Sequence, residues 1–349
     1  MPAAKIRKSS QGPDPATHVS AITLHALTRS LRNASRAKAD PVDHIFRTDI
    51  QIMTNEAMAQ QMATKDGFIA ALDQSGGSTP KALRLYGIEE DAYDGEEAMF
   101  DLIHQMRARI IKAPAFSSGK VIGAILFERT MDGEIDGTPT AEYLWKECGV
   151  VPFLKVDKGL AEPTDGVKLL KPMPDLDALC AKAVSKGIFG TKMRSVIDAA
   201  NPAGIASNVA QQFEVGRQIA SHGLMPILEP EVTITIEDKA EAEAILRDEI
   251  LKNLDALPEG MQVMLKLSLP TEANIYKPLI DHPNVMRVVA LSGGYARDEA
   301  NEKLAQNTGM IASFSRGLAE GLSAQQSDAE FNATIAGAID GIHAASVAG

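Results

Sequence analysis

From Gly67 onward the chain alternates short apolar runs with longer stretches in which apolar residues return every three or four positions. Eight runs read as buried strands, at 68–72, 121–127, 150–154, 188–191, 224–228, 262–265, 285–291 and 310–314. Between them, 93–111 places Met99, Leu102, Ile103, Met106 and Ile110 on one helical face. The stretch 208–221 does the same with Val209, Phe213 and Ile219, and 237–254 opens on an acidic turn, as a helix N-terminus prefers. This alternation predicts an α/β protein: an eight-stranded parallel (β/α) TIM barrel in a single domain, a fold that typically needs about 250 residues. An open doubly wound sheet is the alternative, but no run is followed by the G-x-G-x-x-G dinucleotide fingerprint.

Residues 1–52 break the pattern. They carry Lys5, Arg7, Lys8, Arg29, Arg32, Arg36, Lys38 and Arg47 against Asp14, Asp40, Asp43 and Asp49, with many Ser, Thr and Ala. We read them as a weakly ordered basic extension. It is either a transit-like leader, which would direct the protein to an organelle or plastid, or a translated upstream region with Met53 as an alternative start. Residues 53–349 form the barrel domain on this reading, with a cytoplasmic location expected if no leader acts.

Composition narrows the chemistry. A chain of 349 residues, 45% hydrophobic, can bury a large core, and its formal net charge of −11 argues against nucleic acid or an anionic membrane as partner. Cys148 and Cys180 have no metal-ligand spacing and read as reduced structural thiols. None of the seven histidines forms an i, i+4 pair, so no catalytic metal is expected; the reading calls for no cofactor.

Barrel active sites are built at the carboxyl ends of the strands. The runs are followed by Asp73; Glu128; Lys155 with Asp157; Lys192 with Arg194; Glu229 with Glu231; Lys266; Ser292-Gly293-Gly294; and Ser315-Arg316. Lys266 stands out because its neighbours in Val263-Met264-Leu265-Lys266-Leu267 read as buried strand. Burial disfavours an ammonium and favours a nucleophilic amine, and a second cation nearby, such as Lys192, would act in the same direction. Such an amine forms Schiff bases, with Glu229 or Asp73 available to move protons. Two loops suit phosphate: Ser292-Gly293-Gly294 with Arg316, and Asp73-Gln74-Ser75-Gly76-Gly77-Ser78. Together they imply a small substrate with a phosphate at each end.

These residues occur in stretches with a known likeness. Ala71-Leu72-Asp73-Gln74-Ser75-Gly76-Gly77-Ser78, Phe153-Leu154-Lys155-Val156-Asp157, Gly190-Thr191-Lys192-Met193-Arg194, Leu228-Glu229-Pro230-Glu231, Val263-Met264-Leu265-Lys266 and Leu291-Ser292-Gly293-Gly294-Tyr295 resemble class I fructose-bisphosphate aldolases of the bacterial branch. The likeness runs from Gly67 to Ser346. It implies a metal-independent lyase of glycolysis and gluconeogenesis, a homo-oligomer that splits fructose 1,6-bisphosphate into dihydroxyacetone phosphate and glyceraldehyde 3-phosphate. By the resemblance Lys266 is the Schiff-base lysine and Glu229 the general acid/base, with Glu231, Lys192 and Asp73 in support. Ser292, Gly293, Gly294 and Arg316 would hold the phosphate nearest the ketone, and Ser75, Ser78, Lys155 and Arg194 the far one. The chain departs from the animal-type pattern in lacking a C-terminal tyrosine, its last being Tyr295, in placing Ser315 directly before Arg316, and in having Ala82 where an arginine is expected. A monophosphate Schiff-base aldolase or a silent phosphosugar-binding protein are the competing readings.

Overall fold

A computed structural model describes residues 41–75 and 77–349, with side chains from Met53 onward. The chain divides into two units, Met1–Ile52 and Met53–Gly349. The leader or transit-like character expected of the first lies outside the described residues, apart from the backbone of 41–52, which is helical.

In the second unit eight strands follow one another in chain order: β1 (Phe68–Leu72), β2 (Val121–Leu126), β3 (Val151–Lys155), β4 (Gly190–Ile197), β5 (Met225–Val232), β6 (Val263–Ser268), β7 (Val285–Leu291) and β8 (Ile311–Ala312). Each pairs in parallel with the next. Ala71 N donates to Phe314 O at 3.3 Å, bringing β1 against the end of β8 and all but closing the barrel. The helices used below are α1 (Pro41–Thr64), α2 (Gly95–Lys112), α3 (Leu176–Ser185), α4 (Pro202–Ala220), α5 (Lys239–Asp255), α6 (Arg297–Leu304) and α7 (Asp328–Val347). Local chemistry sets their ends. Asn201 accepts from Ala203 N and Gly204 N ahead of Pro202 in α4, and Ser327 with Glu330 forms a capping box on α7. The last helix also holds the last strand, since Ser346 Oγ accepts from Ala312 N at 3.0 Å.

The twofold side-chain period of a strand sorts residues between two cores. Phe68, Ala70, Leu72, Leu154, Met193, Leu228, Val263, Leu265 and Leu267 pack outward against the helices. Ile69, Phe153, Ile227 and Met264 pack inward, forming an apolar layer inside the barrel. Met58 and Met62 of α1 join that layer from the amino-terminal ends of the strands, where Gln61 Nε2 donates to Ile122 O and Gly149 O. Residues 53–64 of α1 therefore plug the lower mouth, a role the hydrophobic pattern did not reveal.

Four strands run further than expected, β3 by the single residue Lys155. β4 continues through Lys192 and Arg194, β5 through Glu229 and Glu231, and β6 through Lys266, so these charged residues sit within strands and not after them. A charged residue every second position reads as a strand's end in a hydropathy pattern, yet it is how a barrel lines its interior.

Candidate active site

The same alternation builds the site. Two positions beyond the inward-facing Ile69, Phe153, Ile227 and Met264 lie Ala71, Lys155, Glu229 and Lys266, and Asp73 follows Ala71 by two more. Lys192 and Arg194 flank the outward-packed Met193 and share the inward face. A polar layer thus sits directly above the apolar one.

Its centre is an ion-pair chain. Lys266 Nζ lies 3.0 Å from Glu229 Oε1, Lys192 Nζ lies 2.9 Å from Glu229 Oε2, and Lys192 Nζ lies 2.6 Å from Asp73 Oδ2. All four side chains are buried. Glu229 Oε2 has no aligned hydrogen bond despite its distance from Lys192, so that contact is coulombic and the oxygen keeps a free acceptor direction. Burial alone would raise the Asp73 carboxyl, but the ammonium groups of Lys192 and Lys266 outweigh it and hold the acid well below its usual range. Burial would likewise lower Lys192, and Asp73 and Glu229 reverse that, raising it above an ordinary lysine. Lys192 is thus a cation neutralised by two carboxylates, not the bare like charge beside Lys266 that the pattern suggested.

A second tier adjoins the first. Arg194 Nε lies 2.5 Å from Glu231 Oε2; burial alone would lower the guanidinium, but this bond together with the charges of Glu231, Glu229 and Asp157 raises it further. Lys155 Nζ donates to Asp157 Oδ1 at 2.5 Å, while Asp157 Oδ2 accepts from Arg194 N at 3.2 Å.

At the rim, Gly293 and Gly294 have φ of +61° and +137°, backbone that a side chain would strain, and a Cβ on Gly293 would meet Ile234 at 2.6 Å. Arg316 is exposed, and a Cβ on Gly294 would lie 3.5 Å from its Nη2, so guanidinium and loop are neighbours. Ser292 is buried beside them. In the loop after β1, Ser78 is less free than expected: its Oγ donates to Ser75 O and accepts from Ser75 N, closing a turn. Gly76 lies outside the described residues.

Other strand-end residues go elsewhere. Glu128 pairs with Lys158 and Lys182. Ser315 Oγ accepts from Gln74 Nε2 at 2.7 Å, whereas Ser313, two positions beyond the inward Ile311, keeps a buried hydroxyl with no partner. Sequence reasoning passed over Ser313, and also Arg107, whose signal was a cation between Ile103 and Ile110 on an apolar helix face. Among the described residues no helix is long and apolar enough to cross a membrane, and no three His, Cys, Asp or Glu are grouped to hold a metal ion.

Fold and site define the chain as a β/α barrel with a buried amine among carboxylates inside it. Residues 55–273 match the family described as fructose-bisphosphate aldolase class-I. The chain is 59% identical over 293 residues to the class 1 fructose-bisphosphate aldolase of Porphyromonas gingivalis, covering 84% of this chain and 99% of that one. It is 57% identical over 293 residues to the class 1 enzyme of Synechocystis, covering 84% and 98%. The chain belongs to the fructose-bisphosphate aldolase class-I family. Its fold is also that of the Plasmodium falciparum fructose-bisphosphate aldolase solved with TRAP and a small-molecule inhibitor, at a TM-score of 0.71 and 21% identity over 86% of this chain and 95% of that one.

Proposed function

We propose that the protein reversibly cleaves fructose 1,6-bisphosphate to dihydroxyacetone phosphate and glyceraldehyde 3-phosphate, using Lys266 as the Schiff-base nucleophile. The observation that carries this is a buried primary amine 3.0 Å from a buried carboxylate, Lys266 against Glu229. Glu229 takes the ammonium proton, and the free amine adds to the C2 ketone to give a carbinolamine. Returning a proton to the C2 hydroxyl expels water and leaves an iminium. Glu229 then removes the C4 hydroxyl proton, the C3–C4 bond breaks, and its electron pair enters the iminium as an enamine. Glyceraldehyde 3-phosphate departs; protonation at C3 and addition of water release dihydroxyacetone phosphate and the free lysine.

Lys192, cationic throughout, steadies Glu229 in its ionised state and the developing C4 alkoxide. Asp73 holds Lys192 in place, and Glu231 holds Arg194. The Ser292-Gly293-Gly294 loop and Arg316 take the phosphate next to the ketone; Ser75, Ser78, Lys155 and Arg194 serve the other. On this reading the enzyme works in the cytoplasm as a homo-oligomer.

Borohydride reduction in the presence of dihydroxyacetone phosphate, followed by peptide mapping, tests the proposal. The label is expected on Lys266; a label on another lysine, or none, rejects it.

A further inference from the structure

Arg107 lies on α2 with 1% of its surface exposed, and among the described residues it makes no ion pair. A buried guanidinium without a carboxylate is a costly group to keep. Its helix face is otherwise core, since Ile103, Met106, Ile110 and Ile111 are buried around it. A leucine would satisfy that packing.

What the arginine adds is a strap. Nη1 donates to Thr130 Oγ1 at 2.7 Å, in the short helix after β2. Nη2 donates to Gln74 O at 2.6 Å and to Gln74 Oε1 at 3.1 Å. The Gln74 amide passes the connection on, donating to Ser315 Oγ at 2.7 Å. Thr130, Arg107, Gln74 and Ser315 thereby tie together the ends of β2, β1 and β8. Gln74 stands between Asp73 and Ser75, and Ser315 immediately precedes Arg316. Burial pulls the guanidinium down to about 10, with the Asp73 charge opposing, so Arg107 remains cationic at neutral pH.

We propose that Arg107 is a positioning residue that sets the β1 and β8 loops relative to each other, so that Ser75 and Arg316 meet the two phosphates of one substrate without Arg107 touching it. The proposal rests on the aldolase reading for the identity of the substrate. Its geometry rests on the strap alone.

The test compares wild type with Arg107→Met, Arg107→Lys, Gln74→Leu and the Arg107→Met/Gln74→Leu double variant. The readouts are kcat and KM for fructose 1,6-bisphosphate, and the calorimetric Kd for hexitol 1,6-bisphosphate, which has no ketone and binds without an iminium. Arg107→Met is expected to raise both KM and Kd by about tenfold or more while kcat falls by less than about threefold. Arg107→Lys recovers part of the loss. Gln74→Leu produces a similar rise, and the double variant is no worse than either single one, because both cut the same strap. Unchanged KM and Kd alongside a lowered Tm, or fully additive effects in the double variant, overturn the proposal. If Arg107→Met does not fold, Arg107→Lys and Gln74→Leu decide the matter through the same constants. A wild type that binds the hexitol bisphosphate but does not cleave fructose 1,6-bisphosphate refutes the aldolase reading alone. A wild type that does not bind the hexitol bisphosphate refutes the strap proposal, since there is then no bisphosphate site to set.

Discussion

Lys266 and Glu229 face each other across adjacent parallel strands, one residue beyond the paired Leu265 and Leu228, with 3.0 Å between Nζ and Oε1. Register brings about this meeting: strand pairing fixes both backbones, the twofold period turns both side chains inward, and the apolar layer below keeps water from that side. The same carboxylate reaches Lys192 through its other oxygen at 2.9 Å. Glu229 therefore sits between the two lysines, and in the proposed mechanism it takes a proton from Lys266 and not from Lys192.

Glu229→Gln should separate these two services. The amide keeps the shape but cannot take a proton, and kcat is expected to fall by about 10²- to 10⁴-fold, the usual range for a lost general acid/base. Borohydride trapping at Lys266 should slow in parallel. A variant whose kcat stays within about threefold of wild type removes Glu229 from the mechanism.

The Asp73–Lys192 pair makes a prediction in pH. Asp73 is depressed below its ordinary 3.8, so its contribution to stability is present above that value and is lost as pH falls toward the folded-state value. Lys192 is raised above 10.5, so its contribution is present below that value and is lost only as pH rises through the folded-state value. Between pH 5 and 9 both are intact and should add no pH dependence to urea unfolding. Asp73→Asn leaves a buried ammonium with one partner fewer, at a cost of about 3–5 kcal/mol at neutral pH. It should also flatten the acid limb below pH 4; an acid limb as steep as wild type would contradict the assignment.

Substrates of different length test the two phosphate ends. Arg316→Ala should raise KM for fructose 1,6-bisphosphate by about ten- to a hundredfold, as expected for losing a hydrogen bond to a charged group. Lys155→Ala should do the same for the bisphosphate while leaving KM for fructose 1-phosphate within about threefold. If fructose 1-phosphate suffers equally from Lys155→Ala, that lysine serves the pairing with Asp157 and not the far phosphate.

Much of the barrel was legible because parallel strands buried on both faces read as apolar runs, and eight of them appear in order. Lys266 was legible as an anomaly among apolar neighbours, and the other lysines and the glutamates as charges following the runs. Strand ends were not: β4 and β5 continue through Lys192, Arg194, Glu229 and Glu231, whose charges resemble loop residues until the pleat assigns them a shared interior. Partners separated by tens of residues escaped as well. Gln74 meets Ser315 across 241 positions and Arg107 across 33, and no local pattern encodes such contacts.

The two cysteines should be inert. Burial pushes each thiol up to about 11, with Glu147 adding to the effect on Cys148 and Asp177 to that on Cys180. At pH 7 the reactive thiolate is then about one part in ten thousand. A disulfide-exchange reagent should titrate no thiol in the native protein and two after denaturation. Rapid native labelling with loss of activity would show that one lies open to solvent near the site.

Stability and catalysis should part company at the lower mouth of the barrel. Met62 is fully buried in the inner apolar layer, and Gln61 donates to Ile122 O at 2.9 Å and Gly149 O at 2.7 Å, ahead of the polar layer along β2 and β3. Met62→Ala removes a buried side chain from a packed layer and should cost about 2–5 kcal/mol. Gln61→Ala leaves two carbonyls without their donor and should cost about 1–3 kcal/mol. Neither residue touches the chain of charges from Asp73 to Lys266, so kcat/KM of the folded variants should stay within about twofold of wild type while Tm falls. The opposite result, a preserved Tm with a large loss of kcat/KM, would mean that α1 governs the geometry of Lys266 through the apolar layer, and the two layers would have to be treated as one mechanical unit.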